Sequence, residues 1–560
     1  MEQTPTVNLA DRISAWGART PDKLAIDFYG ERWTYAALVR EIDRWAGVFR
    51  AHGIGAGHTV LVFTPQSPLG IAVFFGVIRC GAAPAFLPLP SAKQEPGYYW
   101  LSHTDLVGLI QPAALVAAAA DLAQMSDAGL ASQVPQLLAS DASYDAAPWQ
   151  GPSPGAADDL ALLQHSSGTT ALKKGVQLTH RAIHDQVEAY TRSLDATADD
   201  VVVSWLPMYH DMGLIACTVT PLAMGQTLIL MDPFRWVSEP VSLLNAIAVH
   251  RGTLSWLPNF AFELLARTTR LKPGELDLGS MRAFINCSEP CKAATLDRFA
   301  ARFAAVGVRP EQLQVCYAMA ETVFAVSQTP VGTPVSRIDV DGTVLSTERR
   351  VVPPVTPERA LTLLSAGRLI DGMQARVVDE HGHDVPEGHV GEIELRSSYL
   401  FTGYLKRPEI TAERLREGAY LTRDLGFRIG DALHVLGRAD DLIIVHGRNY
   451  FAHEIESIAN HIDGLKPGRN VAVDVFNELM GSLEAVLIAE HTLPDPASRE
   501  EATALKRCIK HEISQQLGLE LRDVKLVDAG WLVKTSSGKI SRALNRSKYI
   551  GEATPARPSH

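Results

Sequence analysis

The chain has 560 residues, too many for one hydrophobic core, so more than one domain is expected. With 46% hydrophobic and 21% charged residues it reads as globular, and a net charge of −11 argues against nucleic acid or an anionic membrane as the main partner. Six cysteines make no disulfide framework, the first residues lack a basic-then-apolar leader, and no apolar run is long enough to cross a bilayer, so a cytoplasmic protein without a membrane span is expected.

Leu38, Ile42, Trp45 and Phe49 recur at helical spacing and predict a helix over 35–50. A glycine cluster at 53–57 ends it, and a strand over 59–63, a helix over 71–79 and a short strand over 85–87 follow. The alternation continues through strands at 113–117, 160–163, 201–205 and 227–230, which predicts an α/β fold with parallel strands. The 53–57 glycines follow a helix and His58 stands in the final glycine position, so they are not a dinucleotide fingerprint. Gly151-Pro152-Ser153-Pro154-Gly155 has the spelling of a hydrolase nucleophile elbow, but its two prolines forbid the strand–turn–helix geometry. Residues 140–158 read as a surface loop.

Between an apolar run at 160–163 and a segment at 176–181 leading toward a helix lies a stretch with almost nothing to bury. It contains Ser166, Ser167, Gly168, Thr169, Thr170, Lys173, Lys174 and Gly175. Glycine lets the backbone turn N–H groups inward, hydroxyls add donors and lysine adds charge, a combination that makes a nest for phosphate oxygens. Lys173 stands where a P-loop needs its second glycine, so this is a phosphate loop of another kind. The same residues also suit a plain polar turn.

Beyond residue 370, strands over 374–378, 390–396 and 432–436 predict a meander, with His381 and His383 in an exposed turn. A polar break at 437–441 precedes a strand over 442–445, a helix from 454, strands over 471–476 and 484–489, and a helix over 505–517. These make a compact α+β domain, and 553–560 read as a disordered tail. Cys287 and Cys291 lack a second pair or a histidine group and are read as small buried residues.

Six stretches spread over about residues 10–545 resemble, in the same order, those of the adenylate-forming ligases of the acyl-CoA synthetase superfamily. The resemblance is strongest to the fatty acyl-AMP ligases. Residues 166–175 resemble the family's S-G-x-T-x-x-P-K-G loop, with Ala171 at a frequent glycine position and Lys173 in place of proline. This makes Ser166, Ser167, Gly168, Thr169, Thr170 and Lys174 ATP-binding candidates. The run S-W-L-P-M-Y-H-D-M-G-L at 204–214 puts His210 at the mouth of a carboxylate pocket, though a histidine there also fits a core position. In N-C-S-E-P at 286–290, Ser288, Glu289 and Pro290 correspond to the turn that holds adenine. In Y-A-M-A-E-T at 317–322, Tyr317 would stack on the base with Ala318 and Met319 beside it. Glu321 would hold Mg²⁺ with Thr169, since a hard cation takes carboxylate and hydroxyl oxygen beside phosphate. By its residues alone Glu321 equally fits the first turn of a helix.

The run Y-L-T-R-D-L-G at 420–426 supplies Asp424 for both ribose hydroxyls, paired with Arg438, and Asp440 is the implied hinge. Residues 534–540 resemble the P-x-T-x-S-G-K motif, with Val533 for proline. There Lys539, with a solution pKa of ~10.4, is a cation able to enter a site, although the segment alone reads as a basic turn.

The resemblance implies a large AMP-binding domain over 1–437, a hinge at 438–441, a small domain over 442–550 and a tail over 551–560. It implies activation of a carboxylic acid, a fatty acid foremost, to an acyl-adenylate with ATP and Mg²⁺, with His210, Glu321 and Lys539 as the catalytic set. The acyl group would pass to the pantetheine of a separate acyl carrier protein, as the run G-R-N-Y-F-A-H-E-I-E at 447–456 and a candidate insertion at 334–366 imply. An acyl- or aryl-CoA ligase using free CoA, or an inactive nucleotide-binding relative, are the alternatives. Met208, Met212 and Met224 fit an apolar tunnel or ordinary core.

Overall fold

The computed structural model describes residues 7–89, 96–165, 174–270, 274, 276–445, 448–477, 482–494, 499–534 and 540–553. Helix Tyr35–Ala51 starts where the Thr34 hydroxyl oxygen accepts from the Ala37 N–H at 3.2 Å, and it buries the predicted stripe of Leu38, Ile42, Trp45 and Phe49. Helix Pro68–Arg79 begins earlier than its apolar run, because Ser67 caps the Gly70 N–H at 3.1 Å and Pro68 supplies a preset φ. The next strand is Ala83–Phe86 rather than 85–87, with Pro84 inside it. That is tolerable because this strand is the edge of its sheet, where a missing N–H costs no ladder bond.

Among the described residues the largest sheet has nine strands. Its central parallel part runs Leu313–Ala318, Ala283–Asn286, Leu254–Leu257, Val201–Ser204, Thr227–Leu230 and Leu24–Phe28. A second, parallel sheet orders Ala83–Phe86, Thr59–Phe63, Ala114–Ala117 and Leu137–Ala139. These strands are apolar nearly throughout because helices cover both faces, and one continuous core links them. The antiparallel meander is present as Gln374–Val378, Gly391–Arg396, Ala419–Ile429 and Ala432–Arg438. The expected polar break is shorter than 437–441, since the last of these strands reaches Arg438 and only Ala439–Asp441 forms the turn.

Beyond that turn a separate core gathers Ile443, Tyr450, Ile455, Leu487, Ile509, Ile513 and Val524. It is built from the hairpin Leu442–Val445 and Arg448–Phe451, the sheet of Leu465–Asn477, Ser482–His491 and Asp523–Val527, and their helices. The α/β architecture with a smaller α+β unit at the C-terminal end is therefore the one observed. Ser153 lies in a loop and donates to Asp11 at 2.8 Å, with no histidine in the contact. His381 and His383 occupy an exposed turn around Asp379. The 554–560 part of the expected tail lies outside the described residues.

One contact set fixes the last helix to the segment that precedes it. Lys534 bridges Ile540 in antiparallel fashion, and the fully buried Asn545 accepts from Val533 N–H at 2.9 Å while donating to the Val533 and Ser541 carbonyls at 2.8 and 2.7 Å. Asn545→Ala strands these groups, and each buried orphan costs ~1–3 kcal/mol. Hydrogen exchange should show Ser482–His491 losing protection earlier in the variant, while the large parallel sheet keeps its own.

Candidate functional site

In an open α/β sheet, ligands bind beyond the carboxyl ends of the strands, and three of the expected motifs occupy that edge. Asn286 stands opposite both Leu257 and Val315 in register, so the turns that follow Asn286 and Val315 emerge side by side. After the first, Ser288 takes φ +67°, and its hydroxyl lies 3.8 Å from the Met212 sulfur. Glu289 turns its carboxylate back to accept from the Phe260 N–H at 3.0 Å, capping helix Asn259–Thr268, and Pro290 is exposed.

The strand carrying Tyr317 runs on to Ala318, and Met319 donates its N–H to the Phe324 carbonyl at 2.9 Å. Glu321 then lies in a single 3₁₀ turn, Ala320–Thr322, with a strand and no α-helix after it. The return strand Ala325–Gln328 pairs antiparallel, with a register shift between Tyr317 and Ala318. The turn closes through Val323 at φ +65°, a conformation that a β-branched residue adopts only under constraint.

Glu321 is buried, and its Oε1 accepts from the Tyr404 hydroxyl at 2.7 Å. The Tyr420 hydroxyl lies 3.3 Å from that of Tyr404. Lys174 Nζ sits 5.0 Å from the centre of the Tyr404 ring. Burial lowers the Lys174 pKa from its ordinary value, against the opposing pull of Glu321.

The phosphate-loop candidates Ser166, Ser167, Gly168, Thr169 and Thr170 lie outside the described residues, as does Lys539. What flanks the loop is described. The entering limb is the strand Leu160–His165, and the leaving limb leads to a helix through a strand, Gly175–Thr179, paired antiparallel with it. The helix starts only at His180, where the Thr179 hydroxyl accepts from the Ala182 N–H.

Asp424 sits in strand Ala419–Ile429, opposite Arg438 in register. Its Oδ2 accepts from the Tyr317 hydroxyl at 2.5 Å, and its Oδ1 is 3.9 Å from Arg438 Nε. Burial pushes the Asp424 carboxyl up to about 6, with Arg438 and the Tyr317 hydrogen bond restraining the rise. Beside it Arg423, at φ +64°, donates to Asp440 at 2.8 Å.

His210 is mostly buried, with Nδ1 2.5 Å from Asp211 Oδ1, at the start of a π-helical segment, Met212–Val219. Gly213 is required there because a Cβ would stand 2.3 Å from the Pro207 carbonyl oxygen. Met208 and Met212 are buried nearby, whereas Met224 meets Arg12 of the N-terminal helix at 3.1 Å and lies apart from them.

Lys174, Glu321, Tyr317, Asp424, Arg438 and Asp440 are thus linked through contacts and mutual fields, and Ser288 joins His210's segment through Met212. Tyr404 lies outside every motif, and a glycine before an aromatic in Gly403-Tyr404 is its one hint, whereas Tyr420 and Arg423 lie within the run at 420–426 but carry no role there.

The family described as AMP-binding enzyme matches residues 13–405. The long-chain-fatty-acid–AMP ligase FadD32 of Mycolicibacterium smegmatis is 30% identical over 605 residues, covering 97% of this chain and 94% of its own. FadD21 of Mycobacterium leprae, which carries a fatty-acid–CoA ligase name, is 31% identical over 94% of this chain and 95% of its own. A solved structure from a study of fatty acyl-adenylate ligases of E. coli and L. pneumophila superposes with a TM-score of 0.88 at 26% identity, covering 98% of each chain.

The raised Asp424 carboxyl sets a stability prediction. Its folded value of about 6 exceeds the ordinary 3.8, so keeping it ionised costs stability above pH ~6, and the cost disappears as pH falls toward 3.8. At 1.36 kcal/mol per pH unit the bound is about 3 kcal/mol. Asp424→Asn should therefore raise the thermal midpoint at pH 8 and leave it unchanged near pH 4; an equal gain at both would contradict the assignment.

Proposed function

This chain belongs to the AMP-binding enzyme family, and from that premise we propose that it activates a carboxylic acid, a fatty acid foremost, with ATP to give an acyl-adenylate and pyrophosphate. The observation that carries this reading is the grouping of Lys174, Glu321, Tyr317, Asp424 and Arg438 at the carboxyl edge of a parallel sheet. The names of FadD32 and of the fatty acyl-adenylate ligases support the same reaction.

In the first step a carboxylate oxygen of the acid attacks the α-phosphorus, the bond to the bridging oxygen breaks, and pyrophosphate leaves with the electron pair. Two anions must meet, so positioning and charge neutralisation dominate and no side-chain nucleophile is needed. We assign Tyr317 with Ala318 and Met319 to the base, Ser288, Glu289 and Pro290 to the adenine turn, and Asp424 with Arg438 to the ribose. Ser166, Ser167, Gly168, Thr169, Thr170 and Lys174 take the phosphates, His210 faces the acid, and Lys539 supplies positive charge at the reacting phosphate.

A buried carboxylate with one oxygen held by Tyr404 fits Mg²⁺, which takes one or two carboxylates and completes its shell with phosphate and water. Glu321 and Thr169 would hold it, and it would supply charge neutralisation at the phosphate oxygens. In the second step a pantetheine thiol of a separate acyl carrier protein attacks the carbonyl and AMP departs.

Asp440 is the proposed hinge, between a large domain at 1–437 and a small one at 442–550. Its support is a division of partners: Asp440 is held by Arg423 of the meander, while Asp441 is held by Arg542 of the last helix at 3.0 Å. ATP–pyrophosphate exchange across a panel of acids tests the whole reading. With the preferred acid, Lys539→Ala should lose ~10²–10³-fold in rate, equivalent to ~2.7–4 kcal/mol of barrier, and full exchange in that variant would contradict its role.

The carrier-protein reading draws support from 334–366. This segment forms the hairpin Arg337–Asp341 and Ala360–Leu364 with helix Gly342–Glu348. Val340 and Leu345 pack with Leu425, Phe427 and Leu436 in a cluster that also takes in Ala439, Leu442 and Phe451, and Asn449 donates to the Ser346 carbonyl at 3.3 Å. It thus grips both sides of the proposed hinge and restrains the turn that free CoA would require. The FadD21 name favours a second reading as a CoA ligase. On the carrier reading, wild type makes no thioester with free CoA and Leu345→Ala/Asn449→Ala gains some; ready thioester formation by wild type would support the CoA ligase instead.

A further inference from the structure

Tyr404 belongs to none of the six motifs, yet it is tied to two proposed ATP-site groups at once. Its backbone is locked first. The short strand Gly403–Tyr404 pairs with Gly175–Thr179, setting Tyr404 opposite Val176, and Leu405 N–H donates to the Gly175 carbonyl at 2.8 Å. From the other side, Thr411 Oγ1 accepts from the Tyr404 N–H at 2.9 Å. The residue therefore stands on rigid backbone beside the strand that leaves the phosphate loop.

Its side chain is 4% exposed, so a phenol there must find a partner. The hydroxyl donates to Glu321 Oε1 at 2.7 Å and lies 3.3 Å from the Tyr420 hydroxyl, while Lys174 Nζ rests over the ring. A hydrogen bond from a neutral donor to a carboxylate is charge-assisted, and it fixes the rotation of the acid group. One oxygen of Glu321 is thereby committed to Tyr404.

We infer that Tyr404 is a positioning residue of the nucleotide site: its hydroxyl orients the Glu321 carboxylate toward a divalent cation, and its ring seats Lys174 at the phosphates. The inference rests on the adenylation reading, in which Glu321 and Lys174 serve ATP. Groups that orient a metal ligand from behind typically change metal affinity or activity by ~10–100-fold when removed. The two parts of the role separate by variant, since Phe keeps the ring and loses the hydroxyl, whereas Leu loses both.

The test uses the full chain with a non-hydrolysable ATP analogue and Mn²⁺ as the probe, read by electron paramagnetic resonance, beside calorimetric binding of the analogue without metal. Tyr404→Phe should weaken Mn²⁺ by ~10–100-fold and leave metal-free analogue affinity as in wild type. Tyr404→Leu should weaken both. In exchange assays Tyr404→Phe should need more Mg²⁺ for half-maximal rate and recover kcat when Mg²⁺ is saturating.

Tyr420→Phe keeps the Glu321 bond and should show a smaller Mn²⁺ effect, which maintains the test if Tyr404→Phe fails to fold. Wild-type Mn²⁺ affinity in a folded Tyr404→Phe, or a Tyr420→Phe loss as large as the full range expected of Tyr404→Phe, would overturn the hydroxyl's role. Metal-free affinity unchanged in Tyr404→Leu would overturn that of the ring. Absence of exchange by wild type with every acid would instead count against the ligase reading, whichever way the Mn²⁺ titrations fall.

Discussion

A carboxylate taken out of water must be paired or lose its charge, and the way Asp424 is paired organises much of this molecule. Its two oxygens face partners from different elements: Tyr317 at the end of a strand in the large parallel sheet, and Arg438 across the ladder of the antiparallel meander. The bond to Tyr317 ties meander to sheet at the carboxyl edge of the parallel strands. Asp424 is opposite Arg438 because Ala419–Ile429 and Ala432–Arg438 pair in that register, and two residues after Arg438 comes Asp440, held by Arg423 next to Asp424. The same hairpin that carries the acid assigned to the ribose therefore ends at the turn between the two units.

That continuity gives physical content to the proposed hinge. Adjacent acids at 440 and 441 are held in opposite directions, one by the meander and one by the C-terminal unit, and Arg542 reaches Glu456 at 2.5 Å as well. A rotation between the two acids would leave each ion pair intact within its own unit. What it would have to disturb is the contact of helix Gly342–Glu348 with Arg448–Phe451, where few groups are joined. That small apolar cluster is one restraint on turning, and the fields of Glu454 and Glu456 on Lys292, which follows the 286–290 turn, are another.

Much of the fold could be read from residue patterns because its strands are buried on both faces and its helices carry clear caps. The stripe of Leu38, Ile42, Trp45 and Phe49, or the run Thr227–Leu230, leaves few alternatives. The misplacements have local causes: Ser67 and Pro68 extend a helix that hydrophobicity alone starts later, and Pro84 is admitted because its strand is an edge. The limb after the phosphate loop does lead to a helix, but the strand Gly175–Thr179 inside it is too short for its period to register. At the proposed site, motif spelling singles out Tyr317, Glu321 and Asp424, but not how they are held. Tyr404 and Arg423 act through tertiary pairing, from 83 residues away in the case of Tyr404 and Glu321, and no local pattern encodes such a partner.

The described part of the site is also held at a cost in backbone conformation. Ser288, Val323 and Arg423 are not glycine, yet all three take positive φ: Ser288 is itself assigned to the adenine turn, Val323 closes the Glu321 turn, and Arg423 adjoins Asp424. Such conformations cost of order 1–3 kcal/mol each and persist only where the surroundings over-determine them. Here the surroundings do: Val323 is fully buried beneath the Glu321 turn, and the Arg423 N–H is held by Glu392 at 2.7 Å. Glycine at these positions would relieve the strain and loosen the turns. Since charge neutralisation at a phosphate depends steeply on distance in a poorly solvated setting, a turn kept rigid by its neighbours serves the chemistry better than a relaxed one, and retaining side chains there is consistent with a site whose electrostatics are set before the ligand arrives.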